Sequence, residues 1–279
     1  MEGGYVPQTA RHCTGNVSGR VLAETKPVKF AIVAAHPDDE VLGAALLLPA
    51  LGASLAVIYL TDGAPRSGED ARNAGCPTWQ DYAQLRERES RAALAAAGAG
   101  NAAVFRLNCP DQQATHRIAE NVADLIAIFD QIRPLFVLTH SYEGGHPDHD
   151  AAAASVHAAA WLHEQRLRII EFAGYHAAEG GIERECFRDD RTIVLERPLS
   201  EQQSLWKRRI LNLYASQVDV LSQFPLKNEP LRMAPAYNFA VSPHQGTLYY
   251  ERFPWGVTPS RWRDLARSAF ESMGVPCVC

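Results

Sequence analysis

Two short segments concentrate groups that hold metal ions and move protons. They are His36-Pro37-Asp38-Asp39-Glu40 and Gly144-Gly145-His146-Pro147-Asp148-His149-Asp150. Each contains His-Pro-Asp followed by a further acid or histidine. The first and fourth residues of that unit lie three apart, about one helical turn, so both can face a single point. Together the segments offer His, Asp and His donors, a set that suits Zn²⁺ with an open fourth position. A zinc ion so held lowers the pKa of a water molecule to about 7. Hydrolysis also needs a base for the water proton and an acid for the leaving group. Asp38 and His146 stand beside the candidate donors and are the spare groups. The constellation is one that can hydrolyse an amide. Either motif alone could instead be an acid-capped helix start, which the helix dipole favours. It is their conjunction at two strand ends that carries the signal.

The elements that must position these groups follow a regular rhythm. Lys29–Ala34, Ser54–Leu60, Ala102–Leu107, Leu135–His140 and Arg168–Tyr175 are apolar runs of strand length. Helical patterns over Glu40–Leu51, Trp79–Ala97, Ala119–Ile132 and Asp150–Gln165 alternate with them. Strands that are apolar throughout and separated by helices predict an α/β fold, a mostly parallel sheet with helices on both faces. Ligands of such sheets gather at the carboxyl ends of the strands, where both motifs fall. There is no internal repeat and no linker, so residues 28–279 are expected to form a single domain, preceded by a loose arm over 1–27. A strand is expected over 191–196. Ser200 and Gln203 have capping-box spacing ahead of a helix. The stretch 224–260, with Pro225, Pro230, Pro235, Pro243, Pro254 and Pro259, is expected to be loop-rich and to form a pocket wall. Lys207-Arg208-Arg209 reads as the wet face of a helix, and His157 and His163 as packing or surface residues.

Bulk composition narrows the function classes. The chain has 279 residues, 47% hydrophobic and 21% charged, with a formal net charge of −5. No polycationic face is implied, which argues against nucleic acid or an anionic membrane as partner. Six scattered cysteines without paired spacing fit free thiols in a reducing cytoplasm. The N-terminus lacks the apolar core of a secretory signal. No stretch approaches the ~20 apolar residues of a membrane span. A nucleotide-binding protein on the same architecture would need a Gly-rich first strand–helix turn, whereas His36–Gly43 places carboxylates there. A non-catalytic metal- or sugar-binding module would have no need of Asp38 and His146. Serine hydrolysis is unsupported, because the chain has no G-x-S-x-G segment.

With Ala35–Glu40 (AHPDDE) and Gly145–Ala151 (GHPDHDA) go Thr61–Ala64 (TDGA) and the pair Arg86 and Glu89. In these motifs, from Lys29 to about Tyr175, the chain resembles the PIG-L/LmbE-like N-acetylglucosaminyl deacetylases. The resemblance implies a Rossmann-like fold and a zinc-dependent enzyme that removes an N-acetyl or related acyl group from an amino sugar. It makes His36, Asp39 and His149 the zinc ligands, Asp38 the general base, and protonated His146 the oxyanion partner and acid. Fe²⁺ or Co²⁺ also suit a His₂Asp site. By the same resemblance Arg86 contacts substrate and Asp111 meets sugar hydroxyls. One departure stands out. Mycothiol-type members carry a tyrosine where this chain has Gly144, and Tyr142 is the nearest candidate to replace it. His244, in the Pro-rich stretch, is a further candidate to reach the substrate, and His140 to orient a ligand or close its strand by hydrogen bonding. The implied partner is a small-molecule amino-sugar substrate, and the family's range of assemblies allows a homo-oligomer.

Overall fold

The apolar runs become the strands of one sheet. The computed structural model describes residues 28–279; the expected arm over 1–27 lies outside the described residues. Five parallel strands are β1 (Phe30–Ala34), β2 (Leu55–Pro65), β3 (Ala103–Asp111), β4 (Phe136–His140) and β5 (Arg168–Phe172). A small hairpin follows, β6 (Tyr175–Ala178) and β7 (Gly181–Arg184). Two short antiparallel strands, β8 (Val194–Leu195) and β9 (Leu231–Met233), extend the main sheet. Its order is β3-β2-β1-β4-β5-β9-β8. The helices are α1 (Asp39–Ala44), α2 (Leu48–Leu51), α3 (Glu69–Asn73), α4 (Trp79–Ala96), α5 (Ile118–Ile132), α6 (Pro147–Leu162), α7 (Glu201–Leu211), α8 (Val218–Leu221) and α9 (Pro259–Met273). This is a mostly parallel, Rossmann-like α/β sheet.

Alternation along β1 sends Ala31 and Val33 into one core and Ile32 and Ala34 into the other. The first core lies under α5, α6 and α9, with Leu125, Phe129, Ala153, Trp262 and Phe270 buried. The second lies under α1, α4 and α7, with Val41, Leu94 and Ile210. Burial on both faces explains why the strands read as continuous apolar runs. The winding reverses between β1 and β4, which pair in parallel with Phe30 opposite Phe136. That switch point sets the loop after β1 beside the loop after β4. The two motifs, over a hundred residues apart in sequence, meet there.

Three expectations are modified. The helix expected over Glu40–Leu51 breaks into α1, a 3₁₀ turn at Ala45–Leu47, and α2. Pro49, which lacks an N–H, sits in the first turn of α2, where a helix tolerates it. The strand expected over 191–196 shrinks to Val194–Leu195. Lys207 is not on a wet face: it is fully buried, its Nζ 2.8 Å from Glu229 Oε1 and donating to Leu42 O. A buried ammonium persists only when paired in this way. The capping box at Ser200 and Gln203 forms as expected. Among the described residues no helix is long and apolar enough to cross a membrane.

Candidate metal centre and active-site cavity

β1 ends at Ala34, and the chain turns into α1 through Ala35–Asp38. His36 N–H donates to Asp39 Oδ2 (2.8 Å), closing this turn. Asp38 has φ 131°, a conformation that costs a non-glycine residue on the order of 1–3 kcal/mol. Three contacts hold it there. Its N–H donates to Glu40 Oε2 (3.0 Å), Arg86 Nη2 donates to its Oδ2 (2.9 Å), and Arg86 also donates to the preceding Pro37 carbonyl. Glu40 is in turn fixed by the Tyr214 hydroxyl. Strain at this residue aims its carboxylate into the site.

The second motif opens α6. Asp148 N–H donates to His146 Nδ1 (3.1 Å), making His146 the cap of that helix. With Nδ1 an acceptor, the neutral ring carries its proton on Nε2. Asp150 Oδ1 accepts the N–H groups of Glu143 and Gly144, stapling the loop to the helix. Gly144 has φ +73°, and a Cβ there would lie 2.7 Å from Leu248 Cδ2. Backbone and space together exclude a tyrosine at this position. A Cβ on Gly145 would come 1.9 Å from the Tyr175 carbonyl oxygen, so the motif is pressed directly against β6.

Asp39 lies between three histidines. Its carboxylate is 3.3 Å from His36 Nδ1, 3.4 Å from His149 Nε2 and 3.3 Å from His140 Nε2. His140 Nε2 already accepts the Ala35 N–H (3.1 Å). That commitment leaves His140, stacked on His149 at 4.0 Å, as a support for the group. His36 Nε2 faces Asp111 Oδ1 (3.1 Å) and Asp148 Oδ2 (3.5 Å), which leaves Nδ1 directed toward Asp39. Asp148 is itself held by Gln112 N (2.6 Å) and Ala114 N (3.0 Å). Ligands on one tetrahedral ion at ~2.0–2.1 Å are about 3.3 Å apart. Asp39 lies at that spacing from His36 through Oδ2 and from His149 through Oδ1, and Asp39, His140 and His149 bring donor atoms within 4.8 Å of one another. His36, His146 and His149 also bring ring nitrogens within 4.8 Å of one another. Carboxylates behind a histidine are the usual support of a metal ligand. The donor set fits a divalent ion.

The electrostatics separate the two adjacent aspartates. Burial raises Asp38 to about 6, against the opposing pull of Arg86. For Asp39 burial acts the same way, but His149 and His140 outweigh it and hold the carboxyl well below its ordinary range. His36 is resisted by burial yet driven well above its ordinary value by Asp111. Burial, reinforced by His36 and His149, pushes His146 well below its ordinary value. Its Nε2–H remains available as a donor.

These groups form the floor of a cavity of about 350 Å³. Asp70, Arg86 and Asp111 complete the polar side, and Glu89, paired with Arg86 at 3.7 Å, is anchored by Ser216 N and Oγ. Tyr175, Phe224, Tyr249, Phe253 and Trp255 supply much of the opposite wall. The structure does not bring Tyr142 or His244 here. Tyr142 is buried against Trp262 and Phe239, with its hydroxyl donating to Val241 O (2.8 Å). Residue 142 lies just beyond β4, where the chain enters the core before it returns to the motif. His244 lies in a shallow surface depression with Ser242 and Arg263, its Nδ1 turned to the Gln245 carbonyl. Asp148, Tyr175 and Trp255 were missed by sequence reasoning. Asp148 had a signal in its place inside the second motif, and Trp255 in the Pro-rich stretch expected to form a pocket wall.

Residues 31–160 match the family profile PIG-L, GlcNAc-PI de-N-acetylase. No curated protein matches the chain. Among solved structures, teicoplanin deacetylase in its zinc-inhibited form is 15% identical with a TM-score of 0.56, covering 73% of this chain and 97% of its own. The A40926 pseudoaglycone deacetylase is 19% identical with a TM-score of 0.54, over 75% of this chain and 97% of that one. N,N'-diacetylchitobiose deacetylase from Pyrococcus horikoshii is 16% identical with a TM-score of 0.54, over 75% and 84%. At these identities the likeness is one of fold.

Proposed function

Because this chain carries a PIG-L-family domain over residues 31–160, we propose that it is a metal-dependent hydrolase that removes an N-acetyl or related acyl group from an amino sugar. The observation that carries the reading is the convergence of His36, Asp39 and His149 with Asp38 beside them on one cavity floor. His36, Asp39 and His149 would hold the ion, and zinc is the metal this donor set suits best. When bound, such an ion lends Lewis acidity, acidifying water and polarising a carbonyl.

The chain's own residues do the rest. Asp38, shifted upward by burial to about 6, is ionised at neutral pH yet basic enough to take a proton from water. Arg86 holds one of its oxygens, which keeps the carboxylate from turning away. His146, its Nδ1 engaged by the Asp148 amide, presents Nε2–H to the oxygen on which charge develops. Proton return to the departing amine then falls to Asp38, which holds the proton it took from water. Asp111 and Asp70, on the polar side of the cavity, accept from sugar hydroxyls.

Amine release from a panel of N-acetylglucosaminides, with zinc-loaded and chelator-stripped protein, tests this reading. Release that disappears on stripping and returns with zinc is expected. Absence of release from every member by folded, metal-loaded protein would overturn it.

A further inference from the structure

The two faces of the β6–β7 hairpin serve different ends. Tyr175, Ile182 and Arg184 turn to the cavity. Alternation sends His176 and Glu183 to the other side, and the antiparallel register sets these two directly opposite each other. His176 Nε2 lies 3.2 Å from Glu183 Oε2. Just beyond β7 the chain brings Cys186 back to the pair, its Sγ 4.0 Å from the same carboxylate oxygen. One donor atom from each of the three lies within 4.8 Å of the other two. None of the three lines the cavity.

The histidine is also backed by a second acid. It is fully buried, and its Nδ1 faces Glu143 Oε2 at 3.5 Å. Glu143 is buried too, and its other oxygen accepts the Gly174 N–H (3.2 Å). Neither His176 Nδ1 nor Glu143 Oε2 makes a hydrogen bond among the described residues. A neutral imidazole carries one N–H, and here a carboxylate faces each of its nitrogens. Whichever nitrogen holds the proton, the other turns a lone pair toward a carboxylate, a repulsion that a cation relieves. That cation is a second proton on the ring or a metal ion. Cys186 favours the metal, because a thiol adds little to a protonated His–Glu pair but completes a donor set.

We propose that His176 Nε2, Glu183 and Cys186 form a second metal site, for zinc or a similar borderline-soft divalent ion, with Glu143 orienting the histidine. Imidazole, carboxylate and thiolate are all zinc donors. The nitrogen–oxygen separation matches two ligands on one tetrahedral ion. Oxygen and sulfur on one zinc are about 3.6 Å apart, so Cys186 closes by a few tenths of an ångström. A carboxylate behind a ligating histidine is the usual support of such a site. The Glu183 side chain is 56% exposed, which gives the ion a path in and leaves a fourth position open to water. Binding sends the thiol proton to solvent. Glu143 directly precedes the Gly144–Asp150 motif, so the ion also ties the hairpin to the loop that carries His146.

Cobalt(II) distinguishes this site from the cavity floor, whose donors include no sulfur. Titrating the full chain, reduced and stripped of metal, with cobalt(II) chloride is expected to raise a thiolate-to-cobalt charge-transfer band in the near ultraviolet. Zinc added afterwards is expected to bleach it. Cys186→Ser and His176→Gln should each abolish the band, and Glu143→Gln should weaken cobalt binding about 10–100-fold. Should His176→Gln fold poorly, the conservative Cys186→Ser decides alone. Absence of the band from the wild-type chain at saturating cobalt would assign the cation to a proton and overturn the proposal. So would a band that survives Cys186→Ser, or one that a folded His176→Gln leaves unchanged. The band is read whether or not the chain releases amine, so this site and the hydrolase reading stand or fall separately.

Discussion

The inner and outer halves of the cavity are built on different physical terms. The inner half is an electrostatic device: buried carboxylates and histidines at the ends of two adjacent strands, with His140, Asp39 and His146 engaged by backbone amides and Asp38 by Arg86. The outer half is a mostly aromatic and aliphatic wall beyond residue 160, interrupted by Arg184, Gln217 and Gln223, with Arg184 donating to Gln223 Oε1 (2.9 Å). Reacting atoms tolerate little displacement, so the chemistry sits where the sheet fixes it. Contacts at a cavity wall are more forgiving of geometry, so they can be carried by loops. The contrast divides the cavity: residues 31–160, which match the family profile, supply its floor, and residues 175–255 supply most of its wall.

The comparison can be broken from either side. Asp38→Asn should lower turnover about 10²–10⁴-fold, because it removes the base and keeps the volume. Its zinc content, measured by atomic emission, should equal that of the wild type. Loss of metal in this variant would make Asp38 a ligand instead of a base.

Gly145→Ala attacks the seam between the halves. With a Cβ 1.9 Å from the Tyr175 carbonyl, β6 must move, carrying Tyr175 with it. A loss of about 2 kcal/mol or more is expected from the denaturation midpoint. An unchanged midpoint would show the two halves to be independent.

An effect confined to acidic pH concerns His157, which ties α6 to Cys279 through the carbonyl oxygen of that residue (3.1 Å). Burial pushes it down to about 4, against about 6.5 in an unfolded chain. Between those values the unfolded chain takes a proton that the folded one refuses. Its contribution is therefore fully present above pH 6.5 and is lost as pH falls toward 4, at up to about 1.4 kcal/mol per pH unit. His157→Asn should flatten this part of the stability–pH curve, followed by urea denaturation. An identical slope in the variant would remove His157 from the account.

Several features were readable from local pattern. Apolar runs declared the parallel strands because both sheet faces are covered, and α4 and α5 agree with their expected spans to within a residue or two. The paired His-Pro-Asp motifs were readable because each packs its donors within one turn. Lys207 was misread because its partner Glu229 lies on a distant, Pro-rich stretch with no periodicity to announce it. Tyr142 was placed near the site by its proximity in sequence, yet the chain enters the aromatic core at that point.

By itself the sequence determined the sheet class, the two chemistry-bearing turns and the donor types, because these depend on residues a few positions apart. Tertiary structure alone decided the rest. It set β1 beside β4, so that His36 and Asp39 meet His149. It committed His140 to the Ala35 amide, pushed His146 below its ordinary value through burial, and brought residues of the 175–255 stretch to the cavity lining. These outcomes rest on contacts between segments tens to hundreds of residues apart, and on the desolvation that only a packed interior imposes.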